Sequence, residues 1–265
     1  MNIKTIETQS FSMDYLRFGS GEETFVILPG LSVQGVLSFA DAIAAMYKPF
    51  TEHFTVYLFE RRKDVPAEYP IRAMARDTAE AMNLLGIKKA CVYGASQGGM
   101  IAMELALKDP ELVRKLALAS TAARMTEGRA RIIENWIRLA REGKPEELYL
   151  SFGENVYTPG VFSGLRDFFS GQAKTVTVDE LERFAVLAEG VRGFDILGKL
   201  EKLTCPTWVA ASRDDRLFGD AAAFEITKMV PGAELALYDG FGHAVYDTAP
   251  DFVERMLGFC LKETK

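Results

Sequence analysis

The sequence of 265 residues has few cysteines and no long apolar segment. Its three cysteines, Cys91, Cys205 and Cys260, are far apart and odd in number, which excludes a disulfide framework and matches no zinc-binding spacing. No apolar run is long enough to cross a bilayer, and the first residues lack the apolar core of a signal peptide. These absences predict a cytoplasmic protein with reduced thiols and no membrane partner.

An excess of basic charge is also missing. The net charge is −6, which argues against a nucleic-acid partner, and no run of lysine or arginine suggests one. Apolar residues make up 48% of the chain, enough to bury a substantial core. The partner left by these exclusions is a small-molecule substrate, and the sequence leaves a homodimer open.

Short apolar runs alternate with segments of helical period, which predicts a mostly parallel sheet with helices on both faces, an α/β fold. The middle of the chain breaks this rhythm, because strand-like runs nearly vanish and helices with aromatic faces take their place. We therefore predict an α/β core from 1–120 and 201–265, with a helical cap inserted at 121–200. Strands are expected within 3–18 and at 24–28, 54–59, 90–93, 116–119, 207–211 and 234–238. Core helices are expected at 36–46, 71–85, 100–108, 221–229 and 252–261, and cap helices at 129–141, near 165–169 and near 181–187.

The stretch ACVYGASQGG, residues 90–99, predicts a nucleophilic serine. An apolar run is followed by a G-x-S-x-G match and then by a helical segment, the order of a nucleophile elbow. Gly94 and Gly98 stand two positions either side of Ser96, where a sharp turn leaves no room for side chains. Ser96 would then face substrate at a helix N-terminus, whereas the alternative is an ordinary glycine–serine turn.

A serine nucleophile needs a base, and the sequence has only two histidines. His243 follows the last predicted strand, and catalytic groups of α/β sheets gather at the carboxyl ends of the strands. His53 precedes a strand early in the chain and is typical of a partly exposed loop histidine. We therefore predict that His243 is the base for Ser96.

The orienting acid is expected after a strand that lies between the serine and the histidine. Asp214 and Asp215 both follow the run 207–211, and neighbouring residues point different ways, so only one can reach the imidazole. The apolar pair at 217–218 favours Asp215. Asp214 would then be a loop-capping or surface carboxylate.

An oxyanion hole requires two backbone N–H groups. Gln97, directly after the serine, supplies the first. Leu31, in the loop after the 24–28 strand, is the candidate for the second, and Gly30 lets that peptide turn inward.

Together these features resemble the α/β-hydrolase fold superfamily along essentially the whole chain. The branch it resembles most is the small capped one, which includes esterases, enol-lactonases, C–C hydrolases, non-haem perhydrolases and prolyl aminopeptidases. Pro29-Gly30 stands where many relatives have His-Gly, and the segment 60–66 lacks the glycines of their loop after the fourth strand. The resemblance rests on GASQGGMIA at 94–102, PGL at 29–31, DDRL at 214–217 and GH at 242–243.

The resemblance implies a serine hydrolase that forms an acyl-enzyme on Ser96, with His243 as base and Asp215 as orienting acid. Its substrate would be a small, fairly apolar ester, thioester or lactone, and the reaction calls for no metal or organic cofactor. We predict that Gly30, Trp136 and Phe168 contact this substrate, although aromatic residues at helical spacing also form cap cores.

Three alternatives stay open at this point. The same triad serves C–C hydrolases and perhydrolases. A prolyl-type aminopeptidase would need cap carboxylates, for which Glu134, Glu146 and Glu189 are available. A non-catalytic binding protein could keep the fold without turnover.

Overall fold

The computed structural model describes residues 2–263, and eight strands within that range form one sheet. The strands are β1 (Ile3–Glu7), β2 (Ser12–Phe18), β3 (Glu23–Leu28), β4 (Phe54–Arg62), β5 (Ala90–Ala95), β6 (Val113–Ala119), β7 (Thr207–Ser212) and β8 (Glu234–Tyr238). Their order across the sheet is β1-β2-β4-β3-β5-β6-β7-β8. The β1–β2 and β2–β4 pairs are antiparallel, and every pair from β4 to β8 is parallel. The predicted α/β fold with a mostly parallel sheet is confirmed.

Helices cover both faces of this sheet. They are α1 (Ala40–Met46), α2 (Ile71–Leu84), α3 (Gln97–Lys108), α4 (Glu127–Arg141), α5 (Pro145–Val156), α6 (Pro159–Ala173), α7 (Val178–Glu189), α8 (Gly219–Met229), α9 (Val245–Thr248) and α10 (Phe252–Leu261). One core cluster joins the sheet to α2, α3, α8 and the helices from α4 to α7, and a second joins the other face to α1 and α10. Every residue of β5 and β7 is buried, as expected of strands covered on both faces.

Several element boundaries differ from the sequence-based expectations. The expected helix at 36–46 is a 3-10 turn, Val36–Phe39, followed by α1. The strand expected at 54–59 continues to Arg62, because its last residues pair with β2. Helix α3 begins directly after Ser96, three residues earlier than expected.

Four helices, α4 to α7, lie between β6 and β7. The prediction missed α5, although Pro145 at its first turn and the acidic residues Glu146 and Glu147 are typical of a helix start. Helix α7 begins with a capping box in which the Thr177 hydroxyl accepts from the Glu180 N–H and the Glu180 carboxylate accepts from the Thr177 N–H.

The closing helix α10 is held at its C-terminal end by a buried lysine of β6. Lys115 Nζ donates to the carbonyls of Phe259 and Cys260, each at 2.9 Å, and also to that of Lys262. The three donors of one ammonium thus satisfy carbonyls that a helix end leaves unpaired. Across residues 2–263, no helix is both long and apolar enough to span a bilayer.

Candidate active site

Ser96 lies at the turn between β5 and α3, with φ of 51° and ψ of −119°. A positive φ is unfavourable for a residue with a side chain, and such strain is concentrated at functional sites. The neighbouring strand β6 holds the turn, because Ser96 N–H donates to Ala119 O at 2.9 Å. Just beyond β6, Thr121 Oγ1 donates to Ser96 O at 2.7 Å. The serine is therefore fixed at the carboxyl end of the sheet.

The glycines around the serine are required by close backbone approach. A Cβ added to Gly98 would lie 2.0 Å from Leu28 O, and one added to Gly94 would lie 2.4 Å from Gly98 O. Both distances are far below van der Waals contact, so neither position can accept a side chain without moving backbone. The start of α3 therefore packs directly on the end of β3, as a nucleophile elbow requires.

The loop after β3 lies against the serine. A Cβ added to Gly30 would be 3.2 Å from Ser96 Cβ. On the other side, Gln97 is the first residue of α3, so its N–H has no acceptor within the helix. Gly30 and Gln97 thus flank the serine, and the assignment of the Leu31 and Gln97 N–H groups as oxyanion donors stays a prediction.

His243 and Asp215 form a buried pair after β8 and β7. His243 Nδ1 lies 2.9 Å from Asp215 Oδ2, and both side chains are almost fully removed from solvent. Asp215 Oδ1 also accepts from the N–H groups of Leu217 (2.8 Å) and Phe218 (3.2 Å). Burial raises the pKa of Asp215, but the charge and hydrogen bond of His243 and these two N–H groups outweigh it, so the pKa is lowered overall. This carboxylate is therefore held ionised beside the imidazole.

Asp214 has a different position from its neighbour. Its Oδ1 accepts from Gly240 N–H (3.0 Å) and its Oδ2 from Gly242 N–H (3.1 Å), so it ties the loop that precedes His243 to the end of β7. Burial raises the pKa of Asp214, but the hydrogen bonds from the Ser212 hydroxyl and from these N–H groups outweigh it, so the pKa is lowered overall. The structure brings Asp215, not Asp214, to the imidazole.

His53 lies away from this site. It is exposed in the loop directly before β4, at the amino end of a parallel strand, whereas Ser96, Asp215 and His243 follow the carboxyl ends of β5, β7 and β8. The two ends of a parallel strand lie at opposite edges of the sheet.

A cavity of about 430 Å³ opens at the carboxyl edge of the sheet. Ala95 and Gly30, on either side of Ser96, line it, and so do Tyr246 and Asp247, which follow His243 along the chain. The helices α5 and α6 supply the facing wall. Most of the lining side chains are apolar, including Leu31, Val36, Ile43, Met46, Phe152 and Phe169. Such a cavity suits an apolar acyl group.

Of the three predicted substrate contacts, two line the cavity and one does not. Gly30 and Phe168 line the cavity, and Phe168 is 48% exposed. Trp136 does not belong to the lining: its side chain is 1% exposed, packs on Phe152 and donates from Nε1 to Ser151 Oγ at 3.2 Å. The prediction for Trp136 therefore needs correction, because it supports Phe152, which is the residue that reaches the cavity.

The cap carboxylates considered for an aminopeptidase lie outside the cavity lining. Glu134 pairs with Arg192, and Glu189 pairs with both Arg141 and Arg192. Glu146 is exposed in the first turn of α5. These contacts are those of an ordinary charged surface.

Sequence reasoning missed a buried arginine behind the candidate oxyanion loop. Arg61 is 5% exposed and donates from one guanidinium nitrogen to Pro29 O (2.7 Å) and to Gln97 Oε1 (3.4 Å). Gln97 Nε2 donates in turn to Leu187 O of α7 at 2.6 Å. One network thus connects the loop after β3, the residue after the serine and α7.

Comparison with known proteins gives the context for this geometry. A family model described as the α/β-hydrolase fold matches residues 24–142. RutD of Azorhizobium caulinodans, whose name gives it a proposed carbamate hydrolase activity, is 30% identical over 203 residues, 72% of this chain and 73% of that protein. MGS-M2, an α/β hydrolase enzyme from a deep-sea metagenome library, superposes with a TM-score of 0.88 at 20% identity over 99% of this chain and 98% of its own. The enol-lactonase of Burkholderia xenovorans gives 0.83 at 19% identity over 98% of this chain and 100% of its own.

Proposed function

This chain belongs to the α/β-hydrolase fold family and is a hydrolase, and on that premise we propose that it cleaves carboxylic ester-type bonds through an acyl-enzyme on Ser96. The substrate is a small, fairly apolar ester, thioester or lactone. His243 acts as the base, Asp215 as the orienting acid, and the N–H groups of Leu31 and Gln97 stabilise the oxyanion. The segment 121–200 serves as a cap over the site, and 1–120 with 201–265 forms the hydrolase core.

The observation that carries this proposal is the buried contact of 2.9 Å between His243 Nδ1 and Asp215 Oδ2. A carboxylate at Nδ1 fixes the tautomer in which Nε2 is unprotonated and stabilises the imidazolium that forms when Nε2 takes a proton. The strained backbone of Ser96 adds independent support, because strain is retained where it aims a reactive group.

The proposed reaction has two steps. Ser96 Oγ attacks the carbonyl carbon while His243 Nε2 takes the hydroxyl proton, and the oxyanion that forms accepts hydrogen bonds from Leu31 and Gln97. When the tetrahedral intermediate collapses, the bond to the leaving oxygen or sulfur breaks and His243 returns the proton to it. Water then attacks the acyl-enzyme with His243 as base, which releases the carboxylic acid and restores Ser96.

A second candidate is hydrolysis of a carbamate, which the similarity to RutD favours. Free carbamate has only a few non-hydrogen atoms and is polar, whereas the cavity beside Ser96 measures about 430 Å³ and is lined mainly by apolar side chains. An acyl chain fills such a space and gains from its burial. The cavity therefore favours the ester over the carbamate.

The direct test is the hydrolysis of p-nitrophenyl esters from acetate to decanoate, with labelling of the protein by a fluorophosphonate. Wild type is compared with Ser96→Ala and with Ser10→Ala, which changes an exposed serine distant in sequence from the site. We expect turnover and labelling in wild type and Ser10→Ala, and neither in Ser96→Ala. The preferred chain length then measures the acyl pocket.

Two results would redirect the proposal. Labelling without turnover of any p-nitrophenyl ester would mean an activated serine that acts on another compound: a lactone within the proposed class, or a carbamate or a compound cleaved at a C–C bond outside it. Neither labelling nor turnover in wild type would refute the serine mechanism and favour a binding protein.

A further inference from the structure

One wall of the cavity carries a charge. Among the lining residues within 2–263, Asp247 is the only one with an ionisable acidic or basic side chain other than tyrosine. It belongs to α9, four residues after His243. A single carboxylate therefore sets the electrostatic sign of a cavity whose other lining side chains are apolar, phenolic or neutral and polar, the last being Ser32, Gln34 and Gln172.

The surroundings of this carboxylate are phenolic. Tyr157, at the end of α5, donates from its hydroxyl to Asp247 Oδ2 at 3.2 Å. Tyr246, Tyr47 and Tyr93 also line this side of the cavity and are close enough for the carboxylate to act on them electrostatically. No arginine or lysine of the described chain pairs with it. Burial raises the pKa of Asp247 to about 6, although the Tyr157 hydroxyl and His243 oppose the rise.

The carboxylate also has unused acceptor capacity. Tyr157 contacts Oδ2, and over the described range no hydrogen bond reaches Oδ1. An ionised carboxylate accepts at both oxygens, and the exposed Asp247 side chain leaves the second oxygen accessible from the cavity to a further partner. A donor group on the bound substrate would be such a partner.

We propose that Asp247 binds a hydrogen-bond-donating, non-anionic group of the substrate, an ammonium in preference to a hydroxyl, at the polar end of the cavity. The substrate then has an apolar body and a donor group remote from the bond that is cleaved. A substrate with a carboxylate at that end is excluded, because its charge would face Asp247 with no cation to separate them. This inference rests on the proposed function in taking the cavity as the substrate pocket.

A purely structural role for Asp247 makes a different prediction. In that role the Tyr157–Asp247 hydrogen bond, which joins the end of α5 to α9, only holds these two helices together. Asp247→Asn keeps an oxygen that accepts from Tyr157 and removes the charge. Tyr157→Phe removes the hydrogen bond between α5 and α9 and keeps the charge. The two variants therefore separate a role of Asp247 in substrate binding from a role in holding α5 and α9 together.

The test measures equilibrium binding by calorimetry at pH 7.5 for three ligand series from butyl to octyl: n-alkylammonium ions, n-alkanols and n-alkanoates. Wild type should bind the ammonium series best and the alkanoates worst. Asp247→Asn should lose about tenfold or more of its ammonium affinity, the range of a charge-assisted hydrogen bond, and should gain alkanoate affinity. Tyr157→Phe should keep the wild-type order. Asp167→Asn, an equal charge change on the exposed side of α6, should also keep it.

The inference is overturned if Asp247→Asn leaves the ratio of ammonium to alkanoate affinity unchanged, or if Tyr157→Phe shifts that ratio equally. These ligands are not hydrolysed, so the result does not depend on turnover. If the wild-type protein prefers ammonium ligands but hydrolyses no ester, only the proposed function is refuted. Ester hydrolysis without that preference would refute this inference alone.

Discussion

Replacing Asp215 with asparagine is the sharpest test of the proposed mechanism, because the structure predicts which contacts survive. The asparagine oxygen can keep the hydrogen bonds from Leu217 and Phe218, which now reach Asp215 Oδ1 at 2.8 and 3.2 Å. The amide nitrogen then takes the place of Oδ2, 2.9 Å from His243 Nδ1. Since the amide can only donate there, Nδ1 must accept, and the ring proton moves to Nε2.

A histidine protonated at Nε2 cannot take the proton of Ser96. The expected loss in kcat is about 10⁴-fold, as for the equivalent change in other serine triads, and corresponds to about 5 kcal/mol of transition-state stabilisation. The fold should change little, because both backbone hydrogen bonds are kept. We expect kcat to fall far more than KM rises, since ground-state binding does not involve the imidazole.

Asp214→Asn is the matched control, since it makes the same change one residue away. Asparagine can accept from only one of Gly240 and Gly242, so the loop before His243 loses a hydrogen bond. Because Asp214 is exposed, this loss costs only about 1 kcal/mol. Steady-state kinetics on the best p-nitrophenyl ester, with a thermal melt of each variant, decides the matter. If Asp214→Asn loses about 10³-fold or more and Asp215→Asn stays within tenfold of wild type, the acid has been assigned to the wrong residue.

Four further predictions use the same assay and thermal melts. His243→Ala should abolish ester turnover, whereas His53→Ala, at the opposite edge of the sheet, should leave kcat unchanged. Arg61→Met leaves Pro29 O, in the candidate oxyanion loop, without its arginine donor and should lower kcat by up to about 10²-fold, with partial recovery in R61K. Lys115→Met leaves three helix-end carbonyls without a donor and should destabilise the fold by about 3 kcal/mol, a fall in Tm of roughly 6–10 °C. Because the pKa of Asp247 is raised from 3.8 to about 6, the folded state binds more protons than the unfolded state between these values, so wild-type stability should fall with rising pH there and Asp247→Asn should remove that fall.

The fold could be predicted from the sequence because its signals are local. The buried runs of β5 and β7 are continuous and apolar, and the glycines around Ser96 stand where backbone segments touch. The placement of His243 after β8 follows from the same strand pattern. Each of these features depends on residues within about ten positions of one another, so neither the order of the sheet nor the packing of the cap is needed to find them.

The parts that were missed depend on contacts between segments distant in sequence. Trp136 and Phe168 both lie on helical faces rich in aromatic residues. Only the structure shows that Trp136 of α4 packs on Phe152 of α5 as core, whereas Phe168 of α6 lines the cavity. Arg61 reads as one of three consecutive basic residues at a strand end, yet the loop after β3 and α3 enclose it. Helical period says nothing about which neighbour covers a given face.

The same reasoning explains why the candidate catalytic residues could be placed at one edge of the sheet from the sequence, whereas the lining of the cavity could not. Ser96, Asp215 and His243 all follow parallel strands of one sheet, so the carboxyl ends of these strands bring them to one edge. The cavity instead combines the loop after β3, two inserted helices and α9. Asp247, the single carboxylate among the lining residues of the described range, lies in a four-residue helix that the sequence does not mark. The signals for the proposed reaction thus lie at strand ends, where local sequence patterns carry them. The proposed substrate contacts lie in the gap between the sheet and the inserted helices, and only the structure shows that Asp247 lines this gap and accepts a hydrogen bond from Tyr157.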